Sequence, residues 1–88
     1  MFEWDEVKNQ SNIEKHGVSF EVAITVFDDP DRLTLVDGEH SLVEGRYFCI
    51  GKTGAGILTV RFTIRGDKIR IFGVGYWRKG KKRYEERT

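Results

Sequence analysis

The chain has 88 residues, 39% of them hydrophobic, a single cysteine and a formal net charge of +1. This length predicts one domain over residues 1–88 with a small core, and the lone cysteine excludes an internal disulfide and a multi-thiolate zinc site. The chain has no long apolar run and no HExxH or CxxC spacing, so we expect a cytoplasmic protein without a membrane span, metal or other cofactor.

The basic residues are concentrated at the end of the chain. Residues 1–60 carry 5 Lys+Arg and 11 Asp+Glu, whereas residues 61–88 carry 10 and 3. Such an asymmetry is typical of a surface that binds an anionic partner, most often nucleic acid. The alternative is an ordinary solvated surface whose two halves attract each other within the fold.

The first helix is predicted over residues 6–16, after a short extended start at 2–4. Asp5 is a suitable N-cap, and Gly17 is a suitable C′ residue. His16 falls in the last turn, where the carbonyl ends of the helix stabilise a cation. A structural role for His16 is the simpler interpretation, and a catalytic general base is the alternative. The helix is expected to reach the core through its main apolar residues, Val7 and Ile13.

A second helix is predicted from the N-cap Ser19 to about Phe27. Its apolar residues recur at i, i+3, i+4 and i+7, the spacing of one buried stripe. They are Phe20, Ala23, Ile24 and Phe27. Pro30 ends the helix within an acidic turn, since it biases the preceding residue away from helical angles.

The rest of the chain is predicted to form an antiparallel sheet. Four β-rich runs are separated by turn residues. They cover residues 32–36, 46–50, 57–64 and 69–76. The element order predicts an α+β fold in which the N-terminal helices pack on one face of a three- to four-stranded antiparallel sheet, followed by a short C-terminal helix from about Gly80.

Two of the predicted connections carry residues of the kind found in binding sites. The Gly-rich run at 51–56 does not match a Walker phosphate-binding pattern, because a strand and not a helix follows it. It is predicted to be a hairpin turn. The polar loop at 37–45 carries His40, for which the sequence indicates no partner.

The hairpin of the last two strands is predicted to bring basic and aromatic side chains to one face. With Gly66-Asp67 as a two-residue loop, one face of the hairpin is apolar because side chains alternate along a strand. If Ile50 opposes Leu58 in the preceding pair, Tyr47 shares a face with Arg61. The non-core face then holds Tyr47, Arg61, Arg70, Phe72 and Tyr76.

This face suits single-stranded RNA, because cations hold phosphates and aromatic rings stack on unpaired bases. A ribonuclease needs no metal if side chains take the 2′-OH proton, hold the developing charge and protonate the leaving 5′-oxygen. The predicted catalytic residues are Arg61, Arg70, Tyr76 and Arg78. The predicted RNA-binding residues are Tyr47, Lys52, Phe72, Lys79, Lys81, Lys82 and Arg83. Spacing does not separate the candidates for proton transfer, which are His16, Lys52, Tyr76 and Lys79.

A structural alternative applies to the same aromatic residues. Tyr47 and Phe72 would then form a second small core under the C-terminal helix, with Arg61 paired to an acid.

Several runs of the chain are shared with a known family. They are Phe2-Glu3-Trp4-Asp5-Glu6, Lys15-His16-Gly17-Val18-Ser19-Phe20-Glu21, Val26-Phe27-Asp28-Asp29-Pro30, Ile50-Gly51-Lys52, Arg65-Gly66-Asp67 and Ile69-Arg70-Ile71. With these runs the chain resembles the BrnT toxins of bacterial type II toxin–antitoxin systems. The resemblance implies a RelE-like fold and a ribonuclease activity that inhibits translation. It also implies neutralisation by a BrnA-like ribbon-helix-helix antitoxin, with operator DNA bound only through the antitoxin complex.

The chain departs from this family after its last strand. Where family members commonly carry a pair of basic residues, this chain has Gly75-Tyr76, with Arg78 and Lys79 following two positions later. The two competing interpretations are therefore a non-catalytic module that docks an antitoxin or RNA through its basic face, and direct operator binding by this chain alone.

Overall fold

The computed structural model describes residues 1–41 and 43–87; Leu42, within the predicted polar loop, and Thr88 lie outside the described residues. The elements in chain order are β1 (Phe2–Glu3), α1 (Glu6–His16), α2 (Phe20–Val26), β2 (Leu33–Val36), a 3₁₀ turn (Gly38–His40), β3 (Tyr47–Thr53), β4 (Gly56–Arg65), β5 (Lys68–Gly75) and α3 (Arg78–Glu86). Of the helices among these residues, none is both long and apolar enough to span a membrane.

The described residues form an α+β fold with a mixed sheet of five strands in the order β1-β5-β4-β3-β2. The α+β class is confirmed, but the prediction of three to four purely antiparallel strands is wrong. The extended start at the N-terminus pairs in parallel with β5, where Phe2 aligns with Ile69 and Glu3 with Arg70. The amide of Ile69 also donates to the carbonyl of Met1 at 2.7 Å.

The predicted ends of α1 are confirmed. The Asp5 carboxylate accepts from the amide of Val7 at 2.9 Å, and Gly17 closes the helix in the left-handed region at φ 71°. The predicted core contacts are wrong, since Val7 and Ile13 are 77% and 37% exposed. The helix is anchored through polar residues instead.

Two buried asparagines, Asn9 and Asn12, hold α1 in place. The amide of Phe20 donates to Oδ1 of Asn9 at 2.8 Å. Nδ2 of Asn12 donates to the carbonyls of Val18 at 2.9 Å and Val74 at 2.8 Å, and its Oδ1 accepts from the amide of Val74 at 3.2 Å. Asn12 thus bonds to the backbone of β5 as a neighbouring strand would.

The main core lies between α2 and one face of the sheet. Ser19 caps α2 as predicted, accepting from the amide of Val22 at 3.1 Å. Ile24 and Phe27 of the predicted stripe are only partly buried, and Val26 is fully buried instead. The buried core residues are Val18, Phe20, Ala23, Val26, Cys49, Leu58, Val60, Phe62, Ile71 and Val74.

The β4–β5 hairpin has the predicted register near its turn. Ile64 aligns with Ile69 and Phe62 with Ile71, but a bulge then shifts the register by one residue, so that Arg61 aligns with Gly73. An extra residue in one strand of a pair bends the strand and re-aims its neighbours. As a result Val74 is in the core and Gly73 is on the opposite face.

The predicted register of β3 against β4 is wrong by one residue. Tyr47 aligns with Phe62 and Phe48 aligns with Arg61. A slip of one residue exchanges the two faces of a strand, so Tyr47 lies on the core face with its ring 5.4 Å from that of Phe62. Phe48 takes the predicted place of Tyr47 beside Arg61.

A second small core lies on the opposite face, under α3. Ile50 and Thr59 are buried there beside Gly80, and the rings of Phe48 and Trp77 are 5.2 Å apart. A small core under the C-terminal helix was one of the two interpretations of this face. Its members are Phe48 and Ile50, because of the register of β3, and not Tyr47 and Phe72.

Candidate functional site

A cavity of about 420 Å³ opens on the sheet face that carries α3. It is formed by the end of α1, the 3₁₀ turn, β3, β4 and the segment that joins β5 to α3. Its lining residues are Asn12, His16, Asp37, His40, Phe48, Thr59, Arg61, Val74, Gly75, Tyr76 and Trp77. The structure therefore brings together three of the predicted site residues, Arg61, Tyr76 and His16.

Arg61 reaches this cavity because of the bulge in the hairpin. The shifted register places Gly73 opposite Arg61, and the guanidinium lies against the bare Cα of that glycine. A guanidinium presents several N–H donors in a fixed plane, which suits the non-bridging oxygens of a phosphate. Arg61 is thus the cation that the cavity offers to an anionic ligand.

His16 lies at the junction of α1 and the end of β5. Its ring lies near Gly75, where an added Cβ would be 3.6 Å from Cγ of the imidazole. The absence of a side chain at this position leaves room for the imidazole beside Tyr76.

His40 is a cavity residue that sequence reasoning missed. Its Nδ1 is 2.8 Å from Oδ2 of Asp37, which is only 7% exposed. The amide of Asp37 donates to the carbonyl of Arg46 at 2.8 Å, and its carbonyl accepts from Oγ of Ser41 at 2.6 Å. The available signal was the i, i+3 spacing of Asp37 and His40 around Gly38, because a 3₁₀ turn places such side chains on one side.

Tyr76 and Trp77 form an aromatic wall at the mouth of the cavity. The two residues are 58% and 40% exposed, and the Tyr76 hydroxyl donates to the carbonyl of Ala55 at 3.2 Å. The same two rings line a second cavity of about 490 Å³ together with Arg78 and Lys81. The aromatic wall thus separates two cavities, each of which is lined by at least one basic side chain.

Three other predicted site residues lie away from both cavities. Arg70 forms an ion pair with Glu3 at 3.5 Å. The ring of Phe72 is covered by the guanidinium of Arg46, 4.2 Å from its centroid. Tyr47 lies on the core face, as described above.

The remaining predicted RNA-binding residues lie on the surface. Lys52 is exposed near the end of β3 and lines neither cavity. On α3, Lys81 lines the second cavity and the other cations project into solvent; these are Lys79, Lys82 and Arg83.

A hydrogen bond fixes the far end of α3. The hydroxyl of the buried Tyr84 donates to Oδ2 of Asp29 at 2.5 Å, and the same oxygen accepts from the amide of Lys52 at 2.7 Å. The bond from the Lys52 amide lowers the pKa of Asp29 the most, and the bond from the Tyr84 hydroxyl lowers it further. The bond to the carboxylate raises the pKa of Tyr84 to about 12. Helix α3, which borders the second cavity, is thereby tied to the turn after α2.

Fold and site together define a small α+β protein whose sheet carries a cavity lined by an arginine, two histidines and aromatic rings. The family model described as ribonuclease toxin, BrnT, of type II toxin-antitoxin system matches residues 4–81. The chain belongs to this family, and the resemblance seen in the sequence is confirmed. A search of curated proteins gave no match. Membership in a type II toxin–antitoxin family implies an antitoxin as partner.

Proposed function

We propose that the chain is a metal-independent endoribonuclease whose active site is the cavity around Arg61, and that its cleavage of RNA inhibits translation. The observation that carries the proposal is the presence of Arg61 and His16 in one cavity. Family membership supports the ribonuclease class.

The proposed reaction is attack of a ribose 2′-oxygen on the adjacent phosphorus. His16 takes the proton of the 2′-hydroxyl, and the guanidinium of Arg61 holds the negative charge that develops on the non-bridging oxygens. A cationic side chain held at the cavity supplies the charge stabilisation that a metal supplies in other nucleases. Tyr76 and Trp77 offer faces on which the flanking unpaired bases stack.

The proposed partners follow from the family and from the charge distribution. A BrnA-like antitoxin with a ribbon-helix-helix domain would neutralise the toxin, and the complex would bind operator DNA. An overall RelE-like arrangement of helices and sheet is part of the same proposal.

The test is cleavage of single-stranded RNA in EDTA by the purified wild type, Arg61→Ala and Arg65→Ala. Arg65 is a matched control, because it lies on the same strand but pairs with Glu44 at 3.3 Å outside the cavity. Removing one preorganised charge donor typically costs about 10²–10³-fold in rate. We expect such a loss for Arg61→Ala alone. Equal rates for all three proteins, or a wild type that cleaves only with a divalent cation, would contradict the proposal.

A second candidate function is a non-catalytic module that docks an antitoxin or RNA. The exposed cations of α3 that border neither cavity favour it; they are Lys79, Lys82 and Arg83. This function requires no cleavage by the wild type in the same assay, together with retention of an acidic partner that weakens as salt rises.

A further inference from the structure

The cavity contains a second imidazole that is held by a buried acid. His40 ends the 3₁₀ turn, with its Nδ1 2.8 Å from Oδ2 of Asp37. Backbone bonds to Arg46 and Ser41 fix Asp37, which is 7% exposed. Because the carboxylate engages Nδ1, the proton that the ring exchanges with a ligand is the one on Nε2.

The two histidines of the cavity have different surroundings. His40 forms an ion pair with Asp37 only while its ring is protonated. Among the hydrogen bonds and ion pairs of residues 1–41 and 43–87, none involves the side chain of His16. A carboxylate at Nδ1 fixes the orientation of the His40 ring and the ring nitrogen at which it exchanges a proton, whereas the imidazole of His16 has no such partner.

We propose that His40 is the general acid that protonates the leaving 5′-oxygen, that Asp37 is its positioning residue, and that His16 is the general base. This inference rests on the proposed ribonuclease function. It assigns the proton carriers that the spacing of the sequence did not single out.

The proposed step is an internal transfer of the phosphoryl group from the 5′-oxygen to the 2′-oxygen. His16 removes the proton of the 2′-hydroxyl, the 2′-oxygen forms a bond to phosphorus, and the bond from phosphorus to the 5′-oxygen breaks. His40 gives its Nε2 proton to that departing oxygen. The products are a 2′,3′-cyclic phosphate and a 5′-hydroxyl, and exchange with water returns both rings to their starting states.

A substrate with sulfur in place of the bridging 5′-oxygen tests the assignment. A thiolate leaves without being protonated, because thiols are far stronger acids than alcohols. Single-turnover rates would be measured for the wild type, His40→Ala, Asp37→Asn and His16→Ala, on the ordinary oligonucleotide and on its 5′-thio analogue. The side chain of His40 is 59% exposed, so its truncation is compatible with an intact fold, which circular dichroism would verify.

On the ordinary substrate we expect a loss of about 10²–10⁴-fold for either histidine variant, as is typical of general acid–base groups. We expect Asp37→Asn to lose less, since the imidazole remains. On the thio substrate the rates of His40→Ala and Asp37→Asn should return to near the wild-type rate, while His16→Ala stays slow. A structural role for Asp37 would leave its variant equally slow on both substrates.

Three results would overturn the inference. The first is a wild-type rate of His40→Ala on the ordinary substrate. The second is an equal loss of rate for His40→Ala on both substrates. The third is that the thio substrate restores the rate of His16→Ala but not that of His40→Ala. The failure of the proposed function is a separate result: a wild type that cleaves neither substrate overturns the nuclease itself and the acid–base assignment with it.

Discussion

The guanidinium of Arg61 lies where a side chain on Gly73 would be. A Cβ added to Gly73 would lie 3.2 Å from Nε of Arg61 and 2.8 Å from its Nη2, and the second distance is shorter than Cβ contacts in proteins allow. The two residues are partners across the bulged part of the hairpin. The direction in which Arg61 points is therefore set by the absence of a side chain on the neighbouring strand.

We predict that Gly73→Ala lowers RNA cleavage about tenfold or more without unfolding the protein. The added methyl displaces the end of a flexible side chain, which costs little stability, but a charge donor misplaced by about 1 Å can cost up to about 10²-fold in rate. Single-turnover cleavage measures the effect. The matched control is Gly75→Ala, whose methyl would lie 3.6 Å from His16 in ordinary contact, so we expect it to stay within a few-fold of the wild type. Wild-type rates in both variants would show that the placement of Arg61 does not matter.

We predict that Asn12→Ala lowers the free energy of unfolding by about 2 kcal/mol, because two buried carbonyls and a buried amide lose their partner. The amide of Val74, which donates to Oδ1 of Asn12, should also exchange its hydrogen faster. Urea unfolding and hydrogen exchange measure the two effects. The control is Glu14→Ala on the exposed side of the same helix, expected to change stability by less than about 0.5 kcal/mol. Similar values for both variants would contradict the anchoring role of Asn12.

The features of the fold that the sequence predicts well depend on short-range chemistry. Asp5, Gly17 and Ser19 cap helices through contacts within a few residues, so their identity is enough to locate the helix ends. The turn around Gly66 sets the register of the residues next to it for the same reason. These elements can be predicted without knowledge of the tertiary structure.

The predictions from sequence are wrong where the role of a residue depends on a contact with a part of the chain that is distant in sequence. Gly51 is predicted to lie in a turn but lies within β3. It is a glycine because of a long-range contact with α2, since an added Cβ would lie 2.9 Å from the carbonyl oxygen of Val26. Misplacing that turn shifted the register and exchanged Tyr47 with Phe48. The anchoring of α1 was missed for a related reason, since a hydrophobic pattern does not reveal that Asn12 bonds to a strand edge.

The candidate site was predictable only in part. Arg61 follows from strand alternation. Tyr76 lies past the bulge and beyond the end of β5, where alternation no longer applies, and His40 enters the cavity from a loop that is distant in sequence. Its partnership with Asp37 is local and was available from their spacing. Its proximity to Arg61 depends on how the loop folds over the sheet, which no periodicity describes.

We predict that stability falls as pH rises from about 10 to about 12, and that Tyr84→Phe removes this fall. The pKa of Tyr84 is raised to about 12 by its bond to Asp29, so the folded protein keeps a proton that the unfolded chain has lost. Its contribution is fully present below about pH 10 and disappears as pH passes about 12. Urea unfolding at several alkaline pH values measures it. Tyr76→Phe is the control and should lose stability between about pH 10 and 12 as the wild type does. If Tyr84→Phe also loses stability over this range, Tyr84 is not its cause.

The carboxylate of Asp29 makes stability depend on pH in the acid range as well, where stability falls as pH falls. The pKa of Asp29 is lowered first by the amide of Lys52 and second by the hydroxyl of Tyr84. Its stabilisation is therefore present above the ordinary carboxyl value of 3.8 and is lost as pH falls below it. We expect Tyr84→Phe to reduce this loss and Asp29→Asn to abolish it. An acid profile of Asp29→Asn identical to that of the wild type would contradict this prediction.

The cations of α3 provide a matched pair of double variants for RNA binding. Arg78 and Lys81 line the second cavity, whereas Lys79 and Lys82, at the same i, i+3 spacing, do not. Both double alanine variants lower the net charge by two. We expect Arg78→Ala, Lys81→Ala to bind a non-cleavable single-stranded oligonucleotide more weakly and with a salt slope shallower by about 1.4, because each phosphate contact on a single strand contributes about 0.7. Fluorescence anisotropy at several salt concentrations measures this. Equal losses in the two variants would show that α3 acts through its overall charge and that the second cavity holds no phosphate.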